Sequence, residues 1–385
     1  VTDWLKQLLS EAGSKERINT DWLTGSCPIF IHGTGSMARD IQSVLVNHGL
    51  PVFGFIDHLD PATSPVDGVP VYKPETARAA VAEPRTAVVV LGIHNRLANL
   101  TAIIQLLKAC GFERVIYPVE LYDTFEADLG SRYWLTRRDF YPSHESALEE
   151  TLTLWADETS RTIFRSILEF RLKGDPGLLP SPDLTNQYHP LDLPAWVAPL
   201  RLVDCGSFDG DTIADLIKNK FQIEALAAFE PDQVNFTKLS RFVYSQLENL
   251  PDAQLWPCGV YSSNVQLTFD AEKGEASSIT NTGDAVIQCV ALDDALPTFA
   301  PTLIKMVIEG AEYEALRGAQ RLIANHLPGL AISVYHHPEH LWQIPLWVNQ
   351  SFPGKYQLYL RSHAYNDFDL VLYAIPTKGS SHASL

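Results

Sequence analysis

Residues 202–212 read LVDCGSFDGDT, and the whole chain is best understood outward from this stretch. Apolar Leu202 and Val203 lead to Asp204, a glycine-containing turn follows, and a helical pattern starts at Thr212. That succession is a strand, a sharp turn and a helix start, the opening βα step of a parallel sheet. Gly206 and Gly210 carry no Cβ, so the backbone can bend there and approach a ligand closely. A helix start offers unpaired N–H groups at its positive dipole end. In an open α/β sheet, ligands sit at the carboxyl ends of the strands. The next apolar strand, 225–230, ends in Glu230, and a carboxylate there can accept hydrogen bonds from both ribose hydroxyls of a nucleoside. A plain tight turn capped by Asp209 and Asp211 explains the glycines without any ligand. The acidic strand end is what favours the nucleoside reading.

Downstream the alternation continues. Helices are expected at 212–219, 233–247, 311–325 and 339–350. Strands are expected at 254–258, 265–269, 286–292, 303–308, 329–335, 356–361 and 369–375. Upstream, a second alternating region runs over about 27–120, with strands at 28–32, 51–57, 87–92 and 114–117 and helices after HGTGSMA and at 101–110. Between the two, 143–172 reads as one long helix with apolar Leu148, Leu152, Trp155, Ile163, Ile167 and Phe170. GDPGLLPSPDLTNQYHPLDLPAW follows, too rich in Pro, Gly and Asp to continue a helix; it reads as a linker that could also cover a ligand. The resulting division is a Rossmann-like domain at 1–122, a helical connector at 123–199, a second Rossmann-like domain at 200–376 and a small polar tail at 377–385. The fold class is α/β in both domains.

The bulk numbers agree. A chain of 385 residues exceeds what one core usually supports. The formal net charge of −17 repels phosphate backbones, so nucleic acid is not an expected partner. The densest basic spot is Arg137-Arg138, which a solvated turn explains at least as well. Five scattered cysteines without a Cys-x-x-Cys pair indicate reduced thiols and a cytoplasmic setting, with no disulfide frame and no metal site. The chain has no apolar run of membrane-spanning length, so no membrane partner is expected. Its start, VTDWLKQLLSEAG, reads as a short amphipathic helix and lacks the features of a signal peptide.

Seven segments point further: NQYHP (186–190), LVDCGSFDGDT, AAFEPDQVNFTKL (227–239), ASSIT (276–280), VALDDAL (290–296), LIKMVIEGAEYEALRGA (303–319) and AISVYHHPEHL (331–341). In this order, from about residue 185 to 376, the sequence resembles the FkbM-type methyltransferases. IEGAE followed by Leu316, Arg317 and Gly318 is the most specific part. The resemblance implies a class I methyltransferase fold, a seven-stranded sheet whose last strand is antiparallel. It also implies S-adenosylmethionine as cofactor and usually a hydroxyl acceptor. Carried over by position, Asp204, Gly206, Ser207, Asp209, Gly210 and Glu230 would line the cofactor.

One position departs from the family pattern. Val307, expected to end the fourth strand at the catalytic rim, stands where the family usually has Asp. An apolar residue can neither take a proton nor hold a metal. A hydroxyl acceptor needs a base late in methyl transfer, and the remaining candidates near the rim are Glu309, His336 and His337, with Glu309 and His336 the choices for catalysis. A solvated strand end explains the YHHPEH histidines more readily than a metal cluster does. Glu309 reads equally well as a helix N-cap neighbour stabilised by the dipole. Lys305, inside the fourth strand, could neutralise a buried carboxylate.

In the first domain, HGTGSMARDI fits Gly-x-Gly-x-x-Ala at Gly33, Gly35 and Ala38, with Asp57 closing GFID at a spacing that suits a dinucleotide fingerprint. The run GFIDHLDPATSPVDGVPVYKPE also resembles the nucleotide-sugar-binding domain of sugar-modifying acyltransferases. Gly33, Gly35 and Asp57 are therefore a candidate nucleotide site beside the alternative of a purely structural or substrate-presenting domain. Three functions compete: O-methylation of a sugar or polyketide-like hydroxyl, a binding protein for S-adenosylmethionine or a nucleotide sugar without effective turnover, and a nicotinamide oxidoreductase built on the first domain. The expected partner is a small-molecule acceptor.

Overall fold

The computed structural model of the chain describes residues 2–12, 19–57, 66, 68–247, 250, 252–270, 278–279 and 285–377. Most of ASSIT, residues 58–65 of the GFID run and residues 378–385 of the tail lie outside them. The chain forms two compact units. Residues 1–149, 162–182 and 364–368 make the first, and 150–161, 183–363 and 369–385 the second. The stretch read as a connector is thus shared out between the two.

The first unit contains α1 (Thr2–Ala12), β1 (Ile29–His32), α2 (Ser36–Asn47), β2 (Val52–Ile56), β3 (Val71–Tyr72), α3 (Pro74–Ala79), β4 (Val88–Leu91), α4 (Leu100–Ala109), β5 (Arg114–Ile116) and α5 (Pro118–Leu129). Its sheet runs β3-β2-β1-β4-β5, all parallel. β1 and β4 are buried along their whole length, which is why IFI of β1 and VVVL of β4 are continuous apolar runs and do not alternate. Phe30, Ile56, Val89, Leu107 and Phe112 share its core.

The helical pattern at 143–172 is two helices, α6 (Glu145–Leu154) and α7 (Glu158–Lys173). Tertiary pairing overrides the periodicity: Trp155 bridges to Leu358, the Ala156 N–H donates to the Leu358 carbonyl at 2.8 Å, and Asp157 caps the second helix by accepting from the Ser160 N–H at 2.8 Å.

The second unit carries β6 (Leu200–Cys205), α8 (Asp211–Lys218), β7 (Ile223–Phe229), α9 (Gln233–Gln246), β8 (Asp252–Trp256), β9 (Gly259–Val260), β10 (Val265–Asp270), β11 (Ser278–Ile279), β12 (Ala285–Val290) and α10 (Leu292–Ala295). It continues with β13 (Leu303–Met306), α11 (Glu312–Arg317), α12 (Gln320–His326), β14 (Gly329–Ser333), α13 (His340–Ser351), β15 (Tyr356–Ser362) and β16 (Leu370–Pro376). The main sheet has seven strands in the order β15-β16-β14-β13-β6-β7-β8. β16, the last in sequence, is antiparallel to both neighbours, as the family resemblance implied. Leu202, Leu226, Leu303, Ala331, Val371 and Tyr373 belong to one buried cluster.

Two features went unread. β9 to β12 form a separate four-stranded sheet, β11-β10-β12-β9. The helix expected over 311–325 is broken between α11 and α12. A Cβ at Gly318 would lie 2.1 Å from the Tyr261 carbonyl oxygen, and the Gly318 carbonyl accepts from the Asp293 N–H at 2.8 Å. The chain therefore turns aside where its own backbone must pack closely.

Candidate active site

Parallel pairing brings several strand ends to one rim. Cys205 is in register with Phe229 and Met306, and Met306 with Ile332. The turns that follow β6, β7, β13 and β14 therefore leave the sheet at the same edge, where α/β sheets hold their ligands.

The turn after β6 is drawn tightly onto this edge. The N–H groups of Gly206 and Ser207 both donate to the Phe229 carbonyl at 3.0 Å. Gly206 and Gly210 have φ of +77° and +96°, backbone that L side chains rarely adopt. A Cβ at Gly206 would lie 1.9 Å from the Val307 carbonyl oxygen, and one at Gly210 would lie 2.6 Å from the Phe242 ring. Both glycines are thus required by contacts within the protein itself, before any ligand enters.

Glu230 follows β7 directly and is pinned to the turn. One oxygen accepts from the Phe208 N–H at 2.9 Å and the other from the Asp232 N–H at 2.8 Å. Burial pushes its carboxyl up to about 7, against the pull of these two amides. A carboxylate offers about four lone-pair positions, and the two amides occupy half of them.

Asp204 and Ser207 are turned inward. The Ser207 hydroxyl donates to the Asp204 carbonyl at 2.8 Å. The Asp204 carboxylate is fully buried and lies 2.9 Å from the Lys305 ammonium, also buried. Lys305 therefore neutralises a buried carboxylate, one of the roles its place in an apolar strand suggested. Burial pushes the Asp204 carboxyl above its usual range while Lys305 pulls the other way. Burial works against the ammonium, but Asp204 outweighs it and holds Lys305 above its ordinary value. Asp204 and Ser207 were expected to line the cofactor; their side chains instead support the turn from within. Asp209 is half-buried on it.

The turn after β13 carries the other polar group. Val307 is partly buried against the core cluster, and its N–H donates to the Cys205 carbonyl. Glu309 stands in left-handed backbone, φ +52°, and its side chain is 19% exposed. Gly310 is at φ +106°, where a Cβ would meet His337 Nε2 at 2.5 Å. Glu312 is wholly buried at the start of α11. Its two oxygens accept from the Ile308 and Gly310 N–H groups at 2.8 and 3.1 Å, and it lies 2.7 Å from His336 Nδ1 and 3.5 Å from His340 Nδ1. Burial opposes its charge, yet His336 outweighs burial and brings the Glu312 carboxyl down to about 2. Burial likewise opposes charge on His336, but Glu312, and then Glu309 at 3.5 Å from Nε2, raise it to about 10. The two carboxylates thus favour the charged form of the His336 imidazole, which works against it as a proton acceptor. Glu312 is the residue that sequence reasoning passed over; its signal was a second acid three residues beyond Glu309, with histidines at the next strand end.

In the first unit, the candidate residues also meet. Gly33 has φ +101° and a Cβ there would lie 2.7 Å from Ile93. Asp57, just past β2, accepts from the Thr34 hydroxyl at 2.8 Å. Gly35 caps α2 without a side-chain hydrogen bond, and a Cβ on it would meet nothing within 4 Å. The basic pair is not a patch: Arg137 is bound to Asp139, and buried Arg138 to Asp123. The five cysteines are free thiols. Among the described residues, no His, Cys, Asp or Glu group is placed to hold a metal ion, and no helix is long and apolar enough to cross a membrane.

A seven-stranded sheet with an antiparallel final strand, and an acid following the second strand against a glycine turn, give the arrangement of a class I methyltransferase fold. Residues 204–366 match the family described as the methyltransferase FkbM domain. The crystal structure of methyltransferase FkbM from Methylobacillus flagellatus KT superposes with a TM-score of 0.78 at 21% identity, covering 97% of this chain and 98% of its own, so the fold of both units is shared. A protein from Listeria monocytogenes serotype 4b resembles it with a TM-score of 0.28 at 14% identity, over 48% of this chain and 65% of its own. No curated protein sequence matches the chain significantly.

Proposed function

We propose that this methyltransferase uses S-adenosylmethionine and methylates a hydroxyl of a small molecule, a sugar or a polyketide-like acceptor, in the cytoplasm. The observation that carries the reading is Glu230: a buried carboxylate at the end of the second strand, fixed by two amides and left with acceptor capacity to spare. Two vicinal ribose hydroxyls would supply the donors that its burial calls for. The residues therefore fit the cofactor, with Glu230 holding the ribose and the backbone of the 206–210 turn beside it. When bound, the cofactor supplies a methyl group on an activated sulfonium.

The protein's own work is then positioning and one proton transfer. Holding two reactants in line supplies much of the acceleration of such a displacement. The acceptor's proton goes to Glu309, the rim carboxylate with exposed surface. His336 Nε2 lies 3.5 Å from its carboxylate. Val307 supports a second reading, binding with little turnover, because the strand end that the family fills with a carboxylate is apolar here. Val307→Asp separates the two. If base chemistry is limiting, the variant turns over faster on a panel of sugar and polyketide alcohols with unchanged cofactor affinity, once circular dichroism shows it folded. A fully active parent and an inactive, folded Val307→Asp would remove the second reading.

A further inference from the structure

Lys305 does more than neutralise Asp204. Its ammonium also donates to the Gly206 carbonyl at 2.7 Å and lies 5.7 Å over the Tyr188 ring. An ammonium has three N–H donors, and three partners surround it: a carboxylate, a carbonyl and an aromatic face. Two of the three belong to β6 and the turn itself. The third comes from NQYHP, a segment that nothing in the proposed chemistry uses. Tyr188 is held there in left-handed backbone, φ +68°, its N–H donating to the Tyr373 hydroxyl at 2.9 Å and its carbonyl accepting from Trp196 Nε1 at 2.5 Å.

We infer that Lys305 is a positioning residue for the cofactor turn: from inside β13 it fixes the Gly206 carbonyl, and with it the turn whose Phe208 amide orients Glu230. The inference rests on the turn being the cofactor site. Its geometric basis is that β13 and the residue directly after it meet the turn at two points. The Val307 carbonyl occupies the space beside Gly206, and the Lys305 side chain grips the Gly206 carbonyl from within. The remaining side of the turn is held by Phe208 on Glu230. Without the ammonium, the Gly206–Ser207 peptide keeps its N–H bond to the Phe229 carbonyl but loses the partner of its own carbonyl, which loosens the approach of the Phe208 amide to Glu230.

The test must separate this from the stability that any buried ion pair confers, since deleting one partner strands the other's charge. Asp204→Asn and the double variant Asp204→Asn/Lys305→Met provide the comparison. Both lack the carboxylate, and only the second lacks the grip on Gly206. In calorimetric titration with S-adenosylmethionine, the double variant is expected to bind at least about tenfold more weakly than Asp204→Asn, the scale of a hydrogen bond to a charged group. In hydrogen exchange without ligand, the 206–210 amides of the double variant should exchange faster, even where its melting temperature equals or exceeds that of Asp204→Asn. Equal affinity and equal amide protection in the two folded variants would overturn the inference. If Asp204→Asn does not fold, the parent and Lys305→Met are compared by the same two measurements with the same criteria. If the folded parent fails to bind S-adenosylmethionine, the cofactor reading falls, and the exchange comparison alone still decides whether Lys305 holds the turn.

Discussion

The two units each present a glycine turn after the first strand of a parallel run and an acid after the next strand, yet the turns are built differently. In the first unit, Asp57 takes a neutral hydroxyl hydrogen bond from Thr34, and the neighbouring strand β4 is VVVL, with no polar group to reach the turn. In the second, Glu230 takes two backbone amides, and the neighbouring strand β13 is LIKM, whose lysine reaches back to Asp204 and Gly206. A lysine in the middle of a buried strand is costly unless it is paired. The comparison teaches that topology supplies a crevice in each unit, while a buried lysine joined to the glycine turn belongs to the second.

The sharpest way to break this contrast is at the glycines. Gly206→Val forces a Cβ into the Val307 carbonyl in left-handed backbone, so a loss of upwards of about 4 kcal/mol is expected, enough to unfold a marginal protein. Chemical denaturation measures it; a Gly206→Val protein as stable as the parent would show that the turn is slack. Next comes Glu312→Gln, which strips His336 of its main partner and should cost about 3–5 kcal/mol.

The same pair sets a pH signature. His336 is raised in the folded state from 6.5 to about 10, so its contribution is complete below 6.5 and is lost as pH climbs toward 10. Glu312 is lowered from 4.5 to about 2, so its contribution is present above 4.5 and fades as pH falls toward 2. Melting temperatures across this range should fall at both ends for the parent, and His336→Gln should lack most of the alkaline decline. A parallel pH profile for the two proteins would remove the ion pair from the account.

A smaller effect concerns Glu230. Ribose hydroxyls favour its ionised form, so cofactor affinity should weaken as pH drops below about 7, by about tenfold per unit once protonation dominates. Affinity flat between pH 5 and 8 would contradict this. The smallest effect belongs to the first unit. Gly35 has open space and an ordinary backbone, so Gly35→Ser should change stability by only a few tenths of a kcal/mol, through a new helix cap. A large loss there would mean that the first turn is as closely built as the second.

Much of this was legible in the residues. Strands such as AVVVLG and the turn LVDCGSFDGDT announce themselves because local pattern and tertiary environment agree. The Gly206 and Gly210 positions were legible as glycines of necessity, but not the reason: the obstructing atoms are a carbonyl and a ring from distant parts of the sequence, Val307 and Phe242. The breaks at Trp155–Asp157 and at Gly318 were hidden for the same cause, since long-range backbone contacts override helical periodicity. His336 was a candidate base because it stands at a strand end on the rim; the Glu312 carboxylate 2.7 Å from its Nδ1 comes from a segment that only the fold brings near.

The central claim is that the second turn, and not the first, holds the cofactor. Calorimetric titration with S-adenosylmethionine of the parent, Asp57→Ala and Glu230→Ala tests it most directly. The account expects the parent and Asp57→Ala to bind alike and Glu230→Ala to bind at least about tenfold more weakly, the scale of hydrogen bonds to a charged group. Binding lost in Asp57→Ala and kept in Glu230→Ala, or no binding by the folded parent, would contradict it.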